Sequence, residues 1–101
     1  MIIYSVTVNI DFDIENEWVE WMKNTHIPNV LNTGMFLEHR MSKVLSVQSD
    51  ETGVTYNIQY TCRSMNDYEK YLNEFADELQ KEHSEKYANK FAAFRTLLEL
   101  V

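Results

Sequence analysis

Two stretches of this chain alternate with a period of two, and that period confines both to β-strands. In the first, Ile2, Tyr4, Val6, Val8 and Ile10 share one face while Ile3, Ser5, Thr7 and Asn9 share the other. In the second, Val54, Tyr56, Ile58, Tyr60 and Cys62 oppose Thr55, Asn57, Gln59 and Thr61. Each strand therefore carries one apolar face that must be covered and one neutral polar face that need not be.

Each of these strands leads into a helix. Asp13 is a good N-cap, and Glu15 and Glu17 fall in the first turn, where the helix dipole favours carboxylates. Ile14, Trp18, Trp21, Met22 and Thr25 then recur at helical spacing. Pro28 disfavours helical geometry at Ile27, so the helix is expected to end or kink at His26-Ile27-Pro28, with a short turn through Val30 and Leu31 restarting near Pro28. Gly34 supplies a left-handed stop. A less regular strand is expected over 36–47 and a polar hairpin turn over 48–53. After the second clean strand, Ser64-Met65-Asn66-Asp67 fits a capping box. Tyr68, Leu72, Phe75, Leu79, His83 and Tyr87 then form one helical stripe, expected to fray or bend near His83, and residues 91–101 read as a last strand.

The order β-α-β-β-α-β is that of the α+β ferredoxin-like sandwich, a four-stranded antiparallel sheet with two helices on one face and the two clean strands at its centre. A chain of 101 residues with 45% hydrophobic side chains forms one such domain over 1–101 without staples. The single cysteine, Cys62, forbids an intrachain disulfide and suits a reducing cytoplasm. The opening residues show no cationic leader and are too short an apolar run to span a bilayer, so a cytoplasmic protein without membrane attachment is expected. Sixteen acidic against nine basic residues give a net charge of −7 with no basic stripe, which argues against nucleic-acid partners.

The uncovered sheet face is informative in its own right. Water-facing strands usually recruit Lys and Glu, yet the two central strands present Ser, Thr, Asn and Gln. Such a face suits a wet contact between two sheets, and a homodimer closing sheet to sheet into a barrel-like pair is expected. The plainer alternative is a Thr-rich solvent face. On the last strand, Phe94, Leu98 and Leu100 are expected to point toward the helices, leaving Ala93, Arg95, Leu97 and Glu99 on the open face with Arg40 and Glu38.

Candidate chemistry begins with the histidines. His26 and His83 each fall at the C-terminal end of a helix, and because the helices run antiparallel the two are expected at opposite ends of the subunit. Capping and packing explain them; a ligand-facing or acid-base role is the alternative for His26. His39 falls on an edge strand, and no spacing suggests a metal site or a cofactor. Cys62 reads as a small core residue rather than a nucleophile. Arg40 and Arg95 suit an anion or carboxylate in the dimer cavity with Asn57 and Gln59 nearby, or else pair with Glu38 and Glu99. The tyrosines Tyr4, Tyr56 and Tyr60 are placed to border a pocket between sheet and helices. RNA-recognition domains of this fold stack bases on aromatics of the open face, and copper chaperones carry Cys-x-x-Cys after the first strand; this chain has neither.

Met1-Ile2-Ile3-Tyr4, Trp18-x-x-Trp21-Met22-x-x-x-His26-Ile27-Pro28, Gly53-Val54-Thr55-Tyr56 and Phe91-x-x-Phe94-Arg95-Thr96-Leu97-Leu98-Glu99 together resemble a small bacterial family known as domain of unknown function 4286. The resemblance runs through essentially the whole chain. It implies the dimeric α+β barrel fold, whose members include cofactor-free monooxygenases, and it assigns no activity and no catalytic residue.

These readings converge on a homodimeric α+β barrel that binds a small organic molecule, with an enzyme of the cofactor-free monooxygenase type as its catalytic form. Its expected ligand-binding residues are His26, Arg40, Asn57, Gln59 and Arg95. The alternative is a non-catalytic assembly or regulatory module. A cavity of a few hundred cubic ångströms favours the first and a filled barrel the second.

Overall fold

The computed structural model of the chain describes residues 1–46 and 52–101. Strand β1 (Ile2–Asp11) leads into α1 (Glu15–Trp21), which continues through a π-helical turn (Met22–His26) into α2 (Ile27–Leu31). Strands β2 (Glu38–Lys43) and β3 (Gly53–Cys62) come next. The second helix is likewise continuous: α3 (Met65–Tyr71), a π-helical turn (Leu72–Ala76) and α4 (Asp77–Lys86), before β4 (Phe91–Glu99). The four strands form one antiparallel sheet in the order β2-β3-β1-β4. This is the α+β ferredoxin-like arrangement. No helix among the described residues is long and apolar enough to cross a membrane.

The alternating strands pair as their pattern requires, with Ile2 opposite Cys62 and Ile10 opposite Val54. Their apolar face lies against the helices, where Tyr4, Val8, Ile10, Ile58, Tyr60 and Cys62 are buried with Trp18, Met22, Ile27 and Val30. Ser64 caps α3 as the capping-box pattern predicts, its hydroxyl accepting from the Asp67 N–H at 3.3 Å. Gly34, at φ 79°, ends the first helix with its N–H on the Leu31 carbonyl.

Four expectations are corrected. Pro28 does not end the first helix. It sits at the start of α2, directly after a widened turn in which the Ile27 N–H reaches back five residues to the Met22 carbonyl, so a proline without an N–H is accommodated where the ladder has already been loosened. The second helix departs from regularity at Leu72–Ala76 rather than near His83. That turn rotates the buried stripe: Tyr71 and Ala76 go inside, and Leu72 is left 39% exposed. Strand β2 is shorter than 36–47, and most of the expected turn at 48–53 lies outside the described residues.

The fourth correction concerns β4. Val6 faces Arg95, Tyr4 faces Leu97 and Val8 faces Ala93, which puts Ala93, Arg95 and Leu97 on the helix side of the sheet with Phe91 and Glu99. Phe94 stands opposite Thr7 and Leu98 opposite Ile3, on the open face. The expected assignment is reversed. β4 carries apolar residues at both parities, so its pattern alone names no inner face; pairing with β1 decides it.

Candidate functional site

The reversal of β4 brings Arg95 to the helix side of the sheet, where, itself exposed, it borders a cavity between sheet and helices. Tyr4, Val6 and Val8 supply the floor from β1, and Met22, His26 and Val30 come from the first helix. Tyr71, Gln80 and His83 come from the second, and Arg95 from β4. The enclosed volume is ≈ 40 Å³. That is room for about three waters, and far below the few hundred cubic ångströms of a spacious ligand site.

His26 and His83 meet at this cavity, their ring centroids 5.7 Å apart and their planes inclined at 63°. They do not lie at opposite ends of the subunit. Because the first helix runs on through Pro28, His26 is an interior residue of it and reaches the same level as His83 on the neighbouring helix. Trp18, with no exposed surface, donates its indole N–H to His83 Nε2 at 2.9 Å. An indole nitrogen can only donate, so His83 Nε2 is unprotonated and the proton of the neutral ring sits on Nδ1. Burial depresses the pKa of His83 to about 4, with His26 and then Arg95 adding to the shift. Burial, and then the Arg95 charge, likewise take His26 down to about 4. Both rings are therefore neutral at pH 7.

Nδ1 of His26 is buried without a hydrogen-bond partner. Aromatic neighbours hold the ring rather than polar ones: Trp21 stacks on it at 5.2 Å. A buried polar atom left unpaired in this way calls for water or a ligand. Arg95 Nε donates to the hydroxyl of the buried Tyr4 at 3.0 Å, which fixes the guanidinium across the edge of the cavity. Burial pushes the phenols of Tyr60 and Tyr71 well above the ordinary tyrosine range, so they remain protonated donors.

The sequence-derived residues divide between two faces of the sheet. His26 and Arg95 line the cavity, while Arg40 and Gln59, cross-strand neighbours, border a second hollow of ≈ 280 Å³ on the open face with Ile3, Glu38 and Thr61. Asn57 is also on the open face, its amide donating to Ser5 at 2.9 Å and Thr7 at 3.1 Å. Arg95 thus does not share a space with Asn57 and Gln59. Of the expected pocket tyrosines, Tyr4 and Tyr60 line the cavity. Tyr56 does not; it donates to Glu15 at 2.7 Å, beside a 3.0 Å Glu15–Lys43 ion pair, and burial and that carboxylate push its pKa up to about 12. Sequence reasoning missed Tyr71 and Gln80, and it set His83 on the buried stripe but assigned it to capping and packing. Cys62 is fully buried, and burial raises its thiol pKa. No group of three or more potential metal ligands occurs among the described residues.

The model of the family named domain of unknown function 4286 matches residues 1–101. The chain belongs to that family. No curated protein matches it. Among solved structures, an ethyl tert-butyl ether d (ethd) family protein from Bacillus halodurans is similar over 100% of both chains at 11% identity, with a TM-score of 0.73. A dimeric ferredoxin-like protein from an uncultured marine organism aligns over 100% of this chain and 95% of its own at 15% identity, TM-score 0.71. A mutant of MhuD, solved with two manganese protoporphyrin IX bound per active site, covers 100% of this chain and 95% of its own at 12% identity, TM-score 0.66. At these identities the likeness is one of fold, and that fold resembles the dimeric α+β barrel proteins.

Proposed function

We propose that this family member is a homodimeric α+β barrel whose subunits each bind a small organic molecule in the cavity between helices and sheet. The observation that carries the reading is the buried, unpaired Nδ1 of His26, a residue that lines the same cavity as the Arg95–Tyr4 pair and a tautomer-locked His83. A fixed cation beside two neutral imidazoles is equipped to hold an anion formed from a bound acid, which is the electrostatic part of the chemistry a cofactor-free enzyme of the monooxygenase type needs.

The open face supports the dimer. Its centre is neutral and internally bonded, with Asn57 tying Ser5 to Thr7 and Asn9 donating to Thr55. Along β4, Phe94 is 63% and Leu98 41% exposed, an apolar margin that a second copy would cover. Arg40, Asn57 and Gln59 belong to this contact in the proposal, and Arg95 and His26 to the ligand.

One observation favours the rival reading of a non-catalytic assembly module: the enclosed volume of ≈ 40 Å³. A thermal-shift screen of small carboxylates and quinones separates the two. The ligand reading predicts compounds that stabilise the natural chain but not Ala93→Phe, in which the added ring blocks the cavity beside Val8. A panel without effect on the natural chain contradicts it.

A further inference from the structure

The charge distribution around the cavity is unlike that of the rest of the molecule. The chain carries sixteen acidic residues, yet no carboxylate among the described residues lines this space. None pairs with Arg95 either; the ion pairs of the described residues join Lys43, Lys81 and Lys90 to their acids. With both histidines neutral, Arg95 is the one formal charge among the lining side chains. Tyr4 occupies Nε of the guanidinium, which leaves the two terminal NH₂ groups for an end-on, two-point contact. Inward of Arg95 the wall turns apolar through Val6, Val8 and Val30.

We infer that the ligand is a small aliphatic carboxylate, its anionic end held by the terminal nitrogens of Arg95 at the cavity edge and its hydrocarbon end among Val6, Val8 and Val30. The inference rests on the cavity being the ligand site and adds the ligand's charge and size. An enclosed volume of ≈ 40 Å³ admits about three non-hydrogen atoms beyond the carboxylate, so an acid of about two to four carbons fits. A carboxylate on a guanidinium makes charge-assisted hydrogen bonds that a carboxamide of the same shape does not. Discrimination between the two is therefore the signature of Arg95 at work.

The test is two-dimensional NMR of the isotope-labelled full chain, titrated with sodium propionate and, in matched sodium chloride, with propionamide. The expected result is saturable shifts at residues lining the cavity, with propionate binding at least about tenfold more tightly than propionamide, and a similar loss of propionate affinity in Arg95→Gln. Equal binding of the two compounds overturns the charge inference while leaving the cavity as a ligand site. No saturable shift at the cavity with either compound overturns both. Should Arg95→Gln fail to fold, the comparison of the two compounds on the natural chain decides the matter alone.

Discussion

Trp18 and His83, 65 residues apart, are joined by a 2.9 Å hydrogen bond from indole to imidazole that ties the first helix to the second. The bond does two things. It satisfies a fully buried indole, and it dictates which nitrogen of His83 carries the proton. Replacing Trp18 by Phe leaves His83 Nε2 without its donor, so we expect a loss of about 1–3 kcal/mol in urea unfolding beyond the effect of ring size. The same variant frees Nε2 to accept a proton, and NMR titration should show the His83 pKa rising, while burial still holds it below 6.5. An unchanged titration would mean that the bond does not control the ring.

The two histidines make stability depend on pH. In the folded chain each titrates near 4 rather than at 6.5, so between those values the unfolded chain binds protons that the folded one refuses. The neutral rings therefore stabilise the fold fully above pH 6.5, and this contribution is lost as the pH falls from 6.5 toward 4. Each histidine accounts for at most about 3 kcal/mol over that window, less where the two depend on each other. Denaturation midpoints measured between pH 4 and 7 should fall steeply for the natural chain and much less steeply for His26→Gln/His83→Gln.

Much of this arrangement is legible in the amino-acid order, and the misreadings have identifiable causes. Residues 2–10 and 54–62 alternate cleanly because each packs one face on the helices, so their pairing and the fold follow from period alone. Residues 91–99 do not alternate cleanly. Phe91 and Leu97 face the helices while Phe94 and Leu98 face outward, so both parities are apolar and the inner face is set by registry with β1. That ambiguity misplaced Arg95, the residue that gives the cavity its charge. The meeting of His26 and His83 was hidden by Pro28, which in a regular helix ends the ladder but here succeeds a turn already widened. Widened turns have no residue signature of their own, and the one at Leu72–Ala76 likewise exchanged Leu72 for Tyr71 in the core.

Gly53 tests the sheet register. A Cβ added there runs into the Ile10 carbonyl and comes within 2.7 Å of Asn9 Oδ1. Backbone in a central strand pair has little room to yield, so Gly53→Ala should cost about 2 kcal/mol or more in chemical denaturation, whereas Gly34→Ala is opposed only by its positive φ.

Pairing through the open face makes Phe94 its most sensitive residue. Phe94→Lys places a charge and its symmetry mate in the apolar margin of the contact, and we expect the mass from light scattering to fall from twice the 12.0 kDa chain to a single chain. Arg95→Gln, on the other side of the same strand, should leave the mass unchanged.

A paired chain that holds a small molecule in each subunit's own interior should reveal both properties at once in native mass spectrometry of protein purified gently from cells. The predicted spectrum shows a species of twice 12.0 kDa carrying added mass of a small organic molecule, up to one per chain, which disappears in Ala93→Phe without loss of pairing. A bare species of 12.0 kDa as the sole form would contradict it.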